Sequence, residues 1–150
     1  MRNILLALIL FLIPKQIKAN EALNEARSWL GYHERKNRVS LKNFLKIDPV
    51  RVEWCAAFMN SVLKKAGYKS TNSLMARSYL RYGKKTRKPK VGDIAIFKRG
   101  RSRITGHVAF YLGTEIINGK KFIKVLGGNQ DKKVSITLLP YKRLLAYRTY

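Results

Sequence analysis

The spacing of apolar residues changes at Pro89, and this change constrains the fold more than any other feature of the 150-residue sequence. Before Pro89, apolar residues recur every three or four positions, which is typical of helices that bury one face. After it, short runs rich in Val, Ile, Phe and Tyr are separated by turns that contain Gly, which is typical of strands. Because helices come first and strands second, the sequence predicts an α+β fold with an antiparallel sheet.

The predicted elements fill the chain from residue 20 to the C-terminus without an internal repeat or a linker. Helices are expected at residues 21–30, 41–46, 55–66 and 74–82. Strands are expected at residues 93–97, 107–112, 121–126, 134–138 and 144–148, which gives a sheet of about five strands. At this length, one domain over residues 20–150 is the simplest organisation.

The N-terminus has the layout of an export signal. Arg2 precedes ten unbroken apolar residues, 4–13, and Ala19 offers a small residue for cleavage. The apolar run is shorter than the ~20 residues that span a bilayer as a helix. We therefore expect residues 1–19 to be a cleaved signal peptide and the protein to reach the periplasm or the extracellular space. Two alternatives stay open: an uncleaved anchor that contacts the membrane transiently, and a buried N-terminal helix.

The charge balance is strongly positive, since 32 Lys and Arg face eight Asp and Glu for a formal net charge of +24. Such a surface attracts nucleic acid, anionic lipid or the acidic polymers of a cell wall. A genome that places Lys wherever solvent allows explains the charge equally well. Basic stretches interleaved with Tyr and Phe would also suit a nucleic-acid binder. No helix-turn-helix, zinc-finger or RRM signature is present, so we expect no specific nucleic-acid partner.

Cys55 is the single cysteine of the chain, which excludes an intramolecular disulfide. It opens the predicted helix 55–66, where the helix dipole and unpaired backbone N–H groups favour a thiolate. The same N–H groups are placed to hold the oxyanion of a tetrahedral intermediate. The sequence therefore makes Cys55 a candidate nucleophile, with a buried and inert cysteine as the alternative.

A catalytic thiol needs a base, and the chain has two histidines. His33 lies in a polar stretch and is expected at the surface, whereas His107 opens a predicted strand and can face a helix N-terminus. Asn129 follows the strand 121–126, and an Asn amide oxygen can orient an imidazole in a Cys-His-Asn site. A turn at Gly-Gly-Asn and a histidine that merely ends a strand are the alternatives. Two His and one Cys without metal-ligand spacing predict no metal, and no cofactor is expected.

Five motifs, in order, carry a resemblance to a known family. They are Trp-Cys-Ala-Ala-Phe at 54–58, Ser-Leu-Met-Ala-Arg-Ser-Tyr-Leu at 73–80, Pro-Lys-Val-Gly-Asp-Ile at 89–94, Gly-His-Val-Ala-Phe at 106–110 and Val-Leu-Gly-Gly-Asn-Gln at 125–130. The series resembles the small CHAP-type proteins (cysteine, histidine-dependent amidohydrolase/peptidase), which are related to the NlpC-type cell-wall peptidases. The resemblance covers about residue 21 to the C-terminus.

The resemblance implies a papain-like α+β fold and metal-free hydrolysis of peptidoglycan amide bonds through an acyl-enzyme. It implies Cys55 as nucleophile, His107 as base and Asn129 as the orienting residue, with Asp93 in a structural turn. Substrate contacts are expected from Trp54, Gly106, Gly128 and Gln130. The protein is expected to be a monomer. Its expected binding partner is peptidoglycan or another anionic wall polymer. Acyl transfer or another cysteine chemistry on this fold, and a non-enzymatic nucleic-acid binder, are the alternative functions.

Overall fold

A computed structural model describes residues 15–150 of the chain. The predicted α+β order is confirmed, because helices occupy the first half and a six-stranded sheet the second. The apolar run of the predicted signal peptide, residues 4–13, lies outside the described residues. Within the described part of the chain, no helix combines the length and the apolar character needed to cross a membrane.

Three α-helices precede the sheet: α1 (Lys15–Ser28), α2 (Arg38–Leu45) and α3 (Cys55–Lys65). The predicted helices overlap all three, and α3 begins at the predicted residue. Its interior-facing residues include Phe58, Met59, Val62 and Leu63, which are fully or almost fully buried. Helix α3 contacts α1 and α2 on one side and strands of the sheet on the other. It is therefore the central helix of the helical layer.

The fourth predicted helix, residues 74–82, is instead a short 3₁₀ helix, η1 (Ala76–Arg81). Tertiary contacts explain the difference. The hydroxyl of the fully buried Tyr79 donates to the side chain of Asn60 on α3. The guanidinium of Arg77 donates to the backbone oxygens of Thr105 at 2.7 Å and Ser102 at 2.6 Å. These contacts tie the segment to its neighbours in a tighter turn than an α-helix would have.

The sheet has the order β1-β6-β2-β3-β4-β5, and every pair is antiparallel. The strands are β1 (Lys84–Thr86), β2 (Ile94–Lys98), β3 (Gly106–Ile117), β4 (Lys120–Gln130), β5 (Lys133–Pro140) and β6 (Leu144–Thr149). The five predicted strands correspond to β2–β6. The prediction of about five strands omitted β1, because its sequence, Lys-Lys-Thr, has no apolar pattern.

Buried side chains lie on both faces of the sheet. The larger core fills the space between the sheet and the helices, with Ile94, Ile96, Val108 and Phe110 on the strand side. A smaller cluster covers the opposite face and is formed by Ala95, Phe97, Ala109, Ile123, Val125 and Tyr147. The alternation along β2 and β3 follows from the two-residue period of a strand. Helix α3 lies against this sheet and contacts β3 and β4.

The turn before β2 is built as predicted around Asp93. The side chain is buried, and its Oδ2 accepts the backbone N–H of Lys90 at 2.7 Å. Its backbone oxygen accepts the N–H of Tyr111 at 2.7 Å. The structural role expected for Asp93 is therefore confirmed.

Candidate active site

Cys55 is the first residue of α3, and only 4% of its surface is exposed. The preceding residue, Trp54, is fully buried, and its indole Nε1 donates to the carboxylate of the buried Glu34 at 3.2 Å. This contact holds the start of α3 in place, because a buried indole N–H requires a partner. The thiol therefore lies at a well-defined position at the N-terminus of a helix.

His107 is the second residue of β3 and pairs with Phe97 of β2. The side chain is buried, with 4% of the residue exposed. Its ring Nε2 lies 2.8 Å from Oε1 of Gln130, also a buried side chain. Within residues 15–150, no group forms a hydrogen bond with the buried Nδ1. A hydrogen bond thus holds Nε2 in place, and Nδ1 is free to accept a proton.

Helix α3 packs against β3 near the first residues of both elements. The backbone of Val108, the residue after His107, hydrogen-bonds to the Cys55 thiol. The backbone of Ala56, the second residue of α3, does so as well. The residue that follows His107 is therefore next to the candidate nucleophile, and the catalytic pairing of Cys55 with His107 stays a prediction.

Gln130 determines which nitrogen of His107 carries the proton. Its Nε2 donates to the backbone oxygen of Ser135 at 2.6 Å, and the Ser135 hydroxyl donates to the Gln130 backbone oxygen at 2.9 Å. The amide oxygen of Gln130 is therefore the atom that faces His107, and it can only accept. It follows that Nε2 of His107 carries the proton in the neutral ring and that Nδ1 is a free base.

Asn129 does not contact His107, in contrast to the role expected for it. Its side-chain amide donates to the carboxylate of Glu53, at the exposed edge of the site. The pairing of β4 with β5 is irregular between Gly127 and Gln130, and Asn129 has a positive φ of 55°. Because such an irregularity changes which side chains face inward, Gln130 and not Asn129 points at His107. Asn is one of the few residues that tolerate this backbone conformation.

Burial governs the charge of the two candidate catalytic groups. It raises the pKa of the Cys55 thiol, and the hydrogen bonds from Val108 and Ala56 offset this only in part. It lowers the pKa of His107 to about 4, while the hydrogen bond with Gln130 acts in the opposite direction. The thiolate that the helix dipole alone would favour is thus opposed by desolvation. Burial thus favours the neutral form of both the thiol and the imidazole.

The four residues expected to contact substrate are all buried: Trp54, Gly106, Gly128 and Gln130. A Cβ on Gly128 would lie 2.7 Å from Cβ of Phe58 and 2.8 Å from the Trp54 ring. A Cβ on Gly106 would lie 2.6 Å from a backbone oxygen of β2. The two glycines therefore allow close packing, Trp54 anchors α3, and Gln130 holds the imidazole. Gln130 also lines the larger groove described below, and the contacts of these four residues with a substrate stay a prediction.

The exposed edge of the site has charged residues that the sequence analysis did not select. Arg99 Nη1 donates to Glu53 Oε2 at 3.2 Å, and the same carboxylate accepts from Asn129. Glu53 lies two residues before Cys55, and this proximity in sequence is the one signal that could have identified it. Arg99 reaches the site from the loop between β2 and β3, a position that depends on the fold.

Two grooves meet at Asn129. The larger, of about 480 Å³, contains His107 and Gln130 and is otherwise lined by Arg99, Asn129, Asp131, Lys133, Ser135, Ile136, Thr137, Leu139 and Arg143. The smaller, of about 270 Å³, is lined by Glu34, Pro49, Val50, Arg51, Val52, Glu53, Asn129 and Lys132. No set of three His, Cys, Asp or Glu residues among those described is arranged to hold a metal ion.

An α+β fold with a thiol at a helix start and an imidazole at the start of a neighbouring strand is typical of papain-like cysteine hydrolases. Comparison with known families agrees, since the family model of the CHAP domain matches residues 47–129. The chain belongs to the CHAP domain family, a family of amidases and peptidases. The match includes Cys55 and His107 and ends one residue before Gln130. No curated protein shows significant similarity to the chain.

Proposed function

We propose that the protein is a peptidoglycan hydrolase that cleaves amide bonds through a thioester acyl-enzyme. One observation carries the proposal: the thiol at the start of α3 lies next to the start of β3, where the buried imidazole of His107 has an unpaired Nδ1 and an Nε2 held by Gln130. Membership of the CHAP domain family supports a hydrolytic reaction. The wall as substrate rests on the family and on the net charge of +24.

The reaction starts from the neutral pair. As Cys55 Sγ attacks the scissile carbonyl, Nδ1 of His107 takes the thiol proton, which avoids a buried charge before substrate arrives. Backbone N–H groups at the start of α3 stabilise the oxyanion. His107 then gives the proton to the leaving amine, and the same nitrogen activates the water that hydrolyses the thioester.

Gln130 takes the orienting role in this mechanism, and Asn129 lies at the edge of the site. The amide oxygen of Gln130 accepts the Nε2 proton of His107, fixes the tautomer and stabilises the imidazolium when it forms. The hydrogen bond from Nε2 of Gln130 to the backbone oxygen of Ser135 prevents this amide from turning over. Asn129, bonded to Glu53, is placed to shape the junction of the two grooves.

Export follows from the same proposal, since peptidoglycan lies outside the cytoplasmic membrane. Residues 1–19 would direct the protein to the periplasm or the extracellular space. The excess of Lys and Arg would then retain the monomeric enzyme near anionic wall polymer, and this retention would weaken as salt screens the charges.

The direct test is a digest of isolated peptidoglycan by the purified protein and by its Cys55→Ala variant, under reducing conditions. Mass spectrometry of the released fragments should show new amine and carboxyl ends with the unmutated protein only. The position of these ends identifies the bond. Release of nothing from walls of several chemotypes would refute the proposal. Transfer of the acyl group to an added amine, without hydrolysis, would support the acyltransferase alternative.

A further inference from the structure

The larger groove has an excess of positive charge next to the candidate base. Arg99, Lys133 and Arg143 line it together with His107, and Asp131 is the one carboxylate among its lining residues. The charges of Arg99 and Arg143 reach the imidazole, since both lower the pKa of His107 after the larger effect of burial. A ligand in this groove would therefore meet several cations next to the candidate base.

Two of these cations have no acidic partner. Arg99 is paired with Glu53 at 3.2 Å, but no ion pair within residues 15–150 includes Lys133 or Arg143. Arg143 is fixed by one hydrogen bond, from its Nε to the backbone oxygen of Lys98 at 3.2 Å. The two terminal nitrogens of this guanidinium stay available for a planar, two-oxygen acceptor.

The smaller groove differs in its charge. It is lined by two carboxylates, Glu34 and Glu53, and by two cations, Arg51 and Lys132. Since its charges balance, it has no general preference for an anion. The asymmetry between the grooves indicates that a substrate lies with its anionic part on the side of Arg143.

We propose that the larger groove is a subsite for a carboxylate group of the substrate, held by Arg143 and Lys133 beside the scissile amide. This inference rests on the proposed function and makes it more specific. Peptides that carry a free carboxylate within a few bonds of the cleaved amide would be preferred over the same peptides with a carboxamide. Planar guanidinium groups bind carboxylates through two parallel hydrogen bonds, a geometry that a carboxamide satisfies only in part.

The test is a binding measurement with the full chain carrying Cys55→Ala, which prevents turnover. The probes are two synthetic stem peptides, L-Ala-γ-D-Glu-L-Lys-D-Ala and its counterpart with D-isoglutamine, which replaces one carboxylate by a carboxamide. Calorimetric titration at low salt should show about tenfold tighter binding of the carboxylate peptide. Adding Arg143→Gln should remove the difference, and Lys133→Gln should reduce it. Lys69→Gln is the matched control, because Lys69 contacts Tyr82 near β1, at the other edge of the sheet.

Equal binding of the two peptides, equal weakening of both by Arg143→Gln, or no measurable binding of either would overturn the inference. If Arg143→Gln lowers the unfolding temperature markedly, Lys133→Gln decides the question. The result of this binding measurement can be distinguished from the result of the peptidoglycan digest. Selective binding without any cleavage would refute the hydrolase and keep the subsite, whereas cleavage without selectivity would refute the subsite alone.

Discussion

Polar side chains are buried at the candidate catalytic centre and exposed to solvent at the outer edge of the sheet. Cys55, His107 and Gln130 are buried, and hydrogen bonds within the fold orient the His107 ring and the Gln130 amide. The edge strand β1 and the loop after it expose Lys84, Lys85, Arg87, Lys88 and Lys90. At the centre, loss of water determines the charge and orientation of each group. At the edge, water and salt screen every charge, so each one has a weak effect that fades with distance.

The largest effect should come from the thiol. Cys55→Ser replaces sulfur by a hydroxyl whose proton His107 cannot remove readily, and we expect cleavage of peptidoglycan to fall about a thousandfold or more. Turnover of a soluble stem peptide, followed by mass spectrometry, measures the loss. Ser40→Ala, on the exposed face of α2, is the control and should keep full activity. Activity of Cys55→Ser close to that of the unmutated protein would show that the reaction does not use this site.

The second effect concerns pH. The pKa of His107 is about 4 in the folded protein and 6.5 in the unfolded chain, so the unfolded state binds more protons between these values. Its contribution to stability is complete above pH 6.5 and is lost as the pH falls to about 4, by roughly 3 kcal/mol. Denaturant unfolding at pH 7 and pH 4 should show a smaller decrease for His107→Gln than for the unmutated protein. Equal decreases would contradict the burial argument.

The same shift predicts the acid limb of catalysis. Since neutral His107 is the base, kcat/KM should decline as the pH falls through about 4. A limb near the ordinary histidine value would mean that the imidazole is hydrated in the working enzyme.

The third effect distinguishes the role of Gln130 in catalysis from that of Asn129. Gln130→Ala removes the acceptor of the Nε2 proton, and we expect kcat to fall about 10- to 100-fold with KM nearly unchanged. Asn129→Ala removes a contact to the exposed Glu53 and should change kcat by less than about threefold. Steady-state kinetics on one soluble peptide compares the two variants. A larger loss for Asn129→Ala would restore the role that the sequence alone predicts for this residue.

The smallest effect is expected at the basic edge. Replacing Lys84, Lys85 and Lys88 together by Gln should weaken binding to intact wall a few-fold at low salt and leave soluble peptides unaffected. Sedimentation with isolated wall material at two salt concentrations measures this. If the triple variant loses activity on soluble peptides, the edge is coupled to the centre, and the two regions are not independent.

Local sequence patterns were sufficient for the elements that carry the thiol and the imidazole. Cys55 starts a helix because an apolar stripe with helical spacing begins there, and His107 starts a strand because a run of β-formers follows it. Local sequence patterns were not sufficient to predict η1 or β1. Contacts of Tyr79 and Arg77 with distant residues hold η1, and pairing with β6 makes a strand of Lys84–Thr86. Neither influence is visible within a local window of sequence.

The sequence by itself determined the α+β order, the single thiol, the histidine beside a glycine at a strand start, and the charge of +24. The tertiary structure alone decided that Gln130 and not Asn129 holds His107, because an irregularity in β4 changes which residue faces inward. It also decided that burial favours the neutral thiol and the neutral imidazole, against the effect of the helix dipole on the thiol. Both results depend on which groups surround a side chain in space. Those groups come from segments that are distant in sequence and that only the folded structure brings together.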